Sequence, residues 1–243
     1  MATGQHNNAK RLPVTLTDSE VEALLGVVYT TSTTGLRNRT MLQVMLGAGL
    51  RVSEVCNLRG VDVDLASGTI RVNLGKGRKD RVVPVDAETL GWLRAWAERR
   101  QALGLNARGP FFFGLRTGHR PLTPRYLQAL VARLARAAGI EKHVTPHTLR
   151  HTYATRMLGR PGFTIRDVQT LLGHSNVATT QVYTHVNEEE LRRKVQAQPP
   201  ASSPSPAAAD LANQLAQLPK EKLVALLAEA LSSSPGDTQT QGR

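Results

Sequence analysis

Residues 145–187 read TPHTLRHTYATRMLGRPGFTIRDVQTLLGHSNVATTQVYTHVN. Thr145 followed by Pro146 marks a helix start. A side-chain oxygen is ready for the N-cap, and proline's missing N–H is no loss in the first turn. His147 and Arg150 follow three apart, so they share one face near the positive end of that helix. A histidine and an arginine at a helix N-terminus suit a phosphate. A second helix begins after Phe163 and closes on Leu171-Leu172-Gly173, with His174 next and Tyr183 nine residues further on.

Two other readings of the same residues are open. His143, His147 and His151 are spaced four apart, as ligands on one helix face would be. Pro146 interrupts any continuous helix through His143, and no carboxylate or cysteine clusters with the three, so no metal site is expected. Residues 164–183 also fit a helix-turn-helix with Gly173-His174-Ser175-Asn176 as the turn, which would mean binding without chemistry.

Composition narrows the partners. The chain has 243 residues, enough for one full domain with a core, plus extensions. Lys and Arg number 31 against 19 Asp and Glu, a net charge of +12 that points to a polyanion such as nucleic acid. Aromatics are only 4%, which disfavours single-strand binding by base stacking. Cys56 is the single cysteine, so no disulfide forms within the chain, and its apolar helical context makes it a core residue. No apolar run suits a membrane span, and the polar start MATGQHNNAKR lacks the core of a signal peptide. A cytoplasmic, nucleoid-associated protein without membrane partners is expected.

Outward from the opening stretch, the chain reads as helices around one small sheet. Residues 1–12 form a disordered arm. Thr17-Asp-Ser-Glu20 is a capping box opening a helix with Val21, Leu24, Leu25 and Val28 on one face. Residues 30–35 are a polar break before a helix over 36–48, and a short helix starts at Arg51. Residues 61–65, 69–74 and 81–85 alternate as strands, with Gly75-Lys-Gly-Arg-Lys-Asp80 as a basic hairpin loop. Asp86 caps a helix ending near Gly104. Residues 106–121 are loop-like around Phe111–Phe113, and Thr123-Pro124 opens a helix that stops at Gly139. A polar helix covers 188–195. Residues 196–209 read as a Pro/Ser/Ala linker, 210–231 as an amphipathic helical segment, and 232–243 as a polar tail. The fold class is mainly α with a small three-stranded antiparallel sheet, an α+β arrangement in which the domain spans 13–195.

Four places collect chemistry at the ends of elements. Arg51 follows a glycine break, with Glu54 one turn later to hold its guanidinium; alone, an ordinary surface ion pair is the commoner explanation. Lys76 sits in the hairpin tip, where a lysine can reach a groove and donate a proton; alone, an ordinary solvated loop is the commoner explanation. Arg78, Lys79 and Arg81 around it suit contacts to a nucleic-acid backbone. His147 with Arg150 is the third place, and His174 with Tyr183 the fourth.

The order Arg, Lys, His-x-x-Arg, His, Tyr resembles the tyrosine recombinase (phage integrase) family. The local wording does so too: GLRVSEVCNL at Arg51, GKGRKDRVVPV at Lys76, HTLRHTYAT at Arg150 and LLGHSNVATTQVYTHV through Tyr183. The resemblance covers about residues 12–195. It implies that Tyr183 is the nucleophile, attacking a DNA phosphate to give a 3′-phosphotyrosyl link and a free 5′-hydroxyl. It implies that Arg51 and Arg150 hold the non-bridging oxygens, Lys76 protonates the leaving oxygen, His147 assists proton transfer and His174 donates to the phosphate. Glu54 would support the site from behind. No metal and no cofactor are implied, because the cations take the metal's part. The implied partners are double-stranded DNA, further copies of the chain as a tetramer on paired sites, and a partner recombinase or accessory protein. A type IB topoisomerase-like nicking-closing enzyme and a silent helix-turn-helix protein are the rival readings. Family members usually carry a helical DNA-clamping domain before the catalytic one. With only about a dozen residues before Pro13, a minimal, shortened or split recombinase is expected.

Overall fold

The computed structural model describes residues 14–73, 80–173 and 185–197. The arm, the hairpin tip, residues 174–184 and the expected linker beyond 197, C-terminal segment and tail lie outside the described residues.

Eight helices and one sheet form the described structure: α1 Asp18–Gly26, α2 Thr33–Gly47, α3 Val52–Asn57, β1 Val63–Asp64, β2 Thr69–Val72, β3 Arg81–Pro84, α4 Ala87–Ala102, α5 Pro124–Ala137, α6 Pro146–Leu158, α7 Ile165–Leu172 and α8 His185–Gln196. The helix starts follow side-chain chemistry. Thr17 and Glu20 close a reciprocal capping box on α1. Asp86 accepts the Thr89 N–H at 2.8 Å to start α4. Thr123-Pro124 and Thr145-Pro146 start α5 and α6 as their sequences predict.

Helix α2 is the axis of the molecule. It is buried from Leu36 to Leu46 and packs on α4, α6 and α3. It starts earlier than the sequence suggests, because Ser32 Oγ accepts the Gly35 N–H at 3.0 Å and converts part of the polar break into a helix cap. Trp96 of α4 packs with Phe112 and Phe113, and Phe111 meets Phe112 edge to face, all essentially inaccessible to solvent, as is Trp92. The Trp96 indole N–H donates to Phe111 O at 2.8 Å, which pins the loop to the core.

The sheet is antiparallel in the order β1-β2-β3, with Ile70 opposite Val83 and Val72 opposite Arg81. Its first strand is shorter than expected: Gly60–Asp62 winds into a 3-10 turn because the Asp62 carboxylate takes the Arg59 N–H at 2.9 Å. Helix α8 begins at His185, before the expected start at 188, and packs against β3 of its own domain. Leu191 and Val195 are buried, and Gln196 Nε2 donates to Ser67 O at 2.8 Å.

Candidate functional site

Where α2 ends, the chain must reverse into α3. Gly49 makes that reversal at φ +62°, and a Cβ there would stand 2.3 Å from Tyr153 Cδ1, so only glycine fits. The turn delivers Arg51 as the N-cap of α3, with Glu54 at the third helical position. Glu54 reaches back to accept the Arg51 N–H at 2.7 Å and the Arg51 guanidinium at 2.9 Å. The expected pairing is therefore present, but it is half of a larger cluster.

Arg81, at the start of β3, meets the same carboxylate with both terminal nitrogens, at 2.8 and 2.9 Å. This is a bidentate fork, the strongest geometry available to the pair. Arg150 of α6 lies with Nη1 4.0 Å from Glu54 Oε2. Three guanidiniums thus share one carboxylate, and the group carries a formal charge of +2. The exposure of the side chains differs sharply: 37% for Arg51, 11% for Arg81, 7% for Arg150 and 5% for Glu54. The sequence reading put Arg81 on DNA; the structure turns it inward, because the buried Glu54 carboxylate and a helix end engage all three of its nitrogens.

That helix end is α7. Arg81 Nε donates to Leu171 O at 3.1 Å, Arg150 Nη2 to Leu172 O at 2.7 Å, and Arg51 Nη2 to Gly173 O at a long 3.4 Å. Three successive carbonyls at the negative end of a helix each receive a cation. Arg150 Nη1 also holds Gly49 O at 2.5 Å. Gly173 ends α7 in the left-handed conformation, and a Cβ there would stand 2.8 Å from Arg81 Cδ.

The electrostatics follow from this crowding. Burial alone would raise the Glu54 pKa, but the hydrogen bonds and charge of Arg81, with the Arg51 contacts, pull it down to about 2. Burial, reinforced by repulsion from Arg51, lowers Arg150 to about 10. Arg150 remains charged at neutral pH. His147 is exposed on α6, one turn before His151, and the two imidazoles meet edge to face with centroids 4.3 Å apart. Burial, then the His147 and Arg150 charges, lowers the His151 pKa. His143 lies outside α6, which starts at Pro146.

The structure therefore brings together Arg51, Glu54, Arg81 and Arg150, with His147 on the same helix as Arg150. Lys76, Arg78, Lys79, His174 and Tyr183 lie outside the described residues. Their chain neighbours border the cluster: Arg81 follows the hairpin tip, and Gly173 precedes His174. The link from Arg81 to Glu54 was missed in the sequence, because the partners are 27 positions apart and no local pattern joins them. The only available signal was an arginine opening a strand whose next inward positions are apolar.

A chain arranged this way matches known proteins closely. The family model for the phage integrase family matches residues 14–190. Tyrosine recombinase XerD of Ralstonia nicotianae is 42% identical over 184 residues, covering 75% of this chain and 59% of that protein. The chain spans 59–62% of the length of this and two further XerD relatives. Among solved structures, a crystal structure of XerA recombinase superposes with a TM-score of 0.61 at 36% identity, covering 78% of this chain and 66% of the other. A XerH site-specific recombinase bound to palindromic difH substrate, in a post-cleavage complex, gives 0.58 at 27% identity, covering 78% and 54%. With its helical fold, its small sheet and its family match over most of its length, the chain belongs to the phage integrase family.

Proposed function

We propose that this chain cleaves and rejoins double-stranded DNA as the catalytic domain of a site-specific tyrosine recombinase. One observation carries the reading: Arg51 and Arg150 converge on a single buried carboxylate in a group of charge +2. A surplus of fixed positive charge at a half-open site calls for an anion with several oxygens, and a phosphodiester in its pentavalent transition state is such an anion. Arg150 has five N–H donors and uses two on carbonyls, so three remain. Arg51 is the more exposed of the pair and faces the incoming phosphate.

Tyr183 supplies the nucleophile. Its phenolate attacks phosphorus, the bond to the 5′-oxygen breaks, and the 3′-phosphate stays on the tyrosine. The 5′-hydroxyl of the same or another strand reverses the step, so the phosphodiester energy is kept. Lys76 protonates the leaving oxygen, His147 assists removal of the phenol proton, and His174 donates to a non-bridging oxygen. Arg78 and Lys79 hold the DNA backbone beside the hairpin. The domain works as a tetramer on paired sites, as part of a recombination complex in the cytoplasm.

The test is a nicked suicide duplex carrying a palindromic site taken from the DNA that flanks the chain's own gene. A denaturing gel should show a covalent protein–DNA band with the full chain and none with Tyr183→Phe. Site-specific binding without a covalent band on any such duplex would overturn the proposal. Relaxation of supercoiled plasmid lacking the site, at the rate seen with it, would mark a nicking-closing enzyme instead.

A further inference from the structure

We propose that Arg81 is a positioning residue for the two phosphate arginines. The inference rests on the recombinase reading of the same site. It concerns a side chain that the motif order Arg, Lys, His-x-x-Arg, His, Tyr does not include.

Glu54 is the hinge of the argument. It touches Arg51 through two bonds and lies against Arg150, so its placement sets the spacing of both. The Arg51 guanidinium alone cannot fix it, because that side chain is 37% exposed and holds only one carboxylate oxygen, through a single bond. Arg81 can. It is 11% exposed, grips both carboxylate oxygens and anchors its third nitrogen on Leu171 O at 3.1 Å. A planar fork held at three points defines an orientation as well as a charge. The same side chain also joins three segments of the site. It begins β3 directly after the Lys76 hairpin, binds the α3 carboxylate, and holds the end of α7 just before His174. Gly173 leaves the space that this requires, since a Cβ there would stand 2.8 Å from Arg81 Cδ and 3.0 Å from its Nε. With all three of its nitrogens engaged and only 11% of its side chain exposed, Arg81 is poorly placed to bind DNA itself.

The experiment uses the full chain with Arg81→Ala and Arg81→Lys. The cleavage rate on the suicide duplex at saturating protein should fall by about tenfold or more in Arg81→Ala. Arg81→Lys should recover little of it, because an ammonium cannot span both oxygens; if the alanine variant does not fold, the lysine variant carries the same comparison. Binding of the uncleaved duplex and its salt dependence should stay as in the wild type. A salt slope smaller by about one, with the saturated rate intact, makes Arg81 a phosphate contact and overturns the proposal. In an Arg51→Ala background, Arg81→Ala should cost much less than it does alone; equal cost in both backgrounds means a role independent of Arg51 and overturns it. A readout free of chemistry is the 15N relaxation of the arginine Nε–H groups. Arg51 and Arg150 should become more mobile when Arg81 is removed, and unchanged mobility sinks the idea. Should the wild type form no covalent adduct, the functional reading fails, and the relaxation measurement still decides the role of Arg81.

Discussion

Two groups of arginines stand among the described residues, one buried and one reaching from the core to the surface, and they do opposite things with their charge. Arg37, Arg39 and Arg100 are 3%, 3% and 5% exposed, and each is handled separately. Arg37 donates to Phe113 O at 2.7 Å and to Asn38, and meets the Tyr126 hydroxyl. Arg100 holds Asn106 O and Pro110 O and covers the ring of Phe111. Arg39 lies over Trp92 with its carbon 4.9 Å from the ring centre, and burial lowers its pKa to about 10 against the pull of Glu88. These three tie loops and helices to the core. Arg51, Arg81 and Arg150 instead converge, sharing one carboxylate and one helix end. Burial of an arginine is therefore no sign of a site; an unbalanced convergence of arginines is.

The sharpest way to break this contrast is to remove one arginine from each group. Arg51→Ala should slow DNA cleavage by roughly a hundred- to a thousandfold in a single-turnover assay, since it deletes a donor aimed at developing charge. Its thermal unfolding should change little, because Arg81 still neutralises Glu54. Arg37→Ala should do the reverse. It leaves Phe113 O and Asn38 without their cation and should cost about 3 kcal/mol in chemical denaturation. Cleavage per folded molecule should be unchanged. If Arg37→Ala slows the chemistry while stability holds, the division between the groups is wrong.

A pH measurement sharpens the same contrast. The Glu54 carboxyl is depressed from 4.5 to about 2 in the fold. Its stabilising contribution is thus complete above 4.5 and is lost as pH falls toward 2. The shift corresponds to about 3 kcal/mol. Glu54→Gln should be less stable than wild type by up to that amount at neutral pH, with the gap closing as pH approaches 2. A gap constant from pH 6 to pH 2 would show that the carboxylate charge is not what the three arginines hold.

The smallest expected effect is at the turn that links the groups. Gly49→Ala adds a Cβ at φ +62° against Tyr153 and shifts the carbonyl that holds Arg150. It should cost about 2 kcal/mol of stability and also slow cleavage, combining the two signatures in one variant. Loss of stability with an unaltered rate would separate the turn from the site.

Much of this was legible along the chain because it is local. Thr145-Pro146, Thr17 with Glu20, and Asp86 each start a helix by chemistry within three residues. The pairing of Arg51 with Glu54 is one helical turn and could be read directly. The cap at Ser32 and the 3-10 turn at Asp62 were missed, although both are local, because a short polar run is equally compatible with a loop. The shortened first strand follows from that turn.

The amino-acid sequence by itself determined the helices, the small sheet, the excess of basic charge and the order of the reactive residue types. These depend on neighbours a few positions apart, where propensity, capping and alternation act. Only the tertiary structure decided which arginines share Glu54, that Arg81 turns inward, and that the end of α7 is held by three cations. Those contacts join residues from 22 to 122 positions apart. No local rule selects among thirty-one Lys and Arg side chains at such separations; the packing of α3, β3, α6 and α7 around one buried carboxylate does.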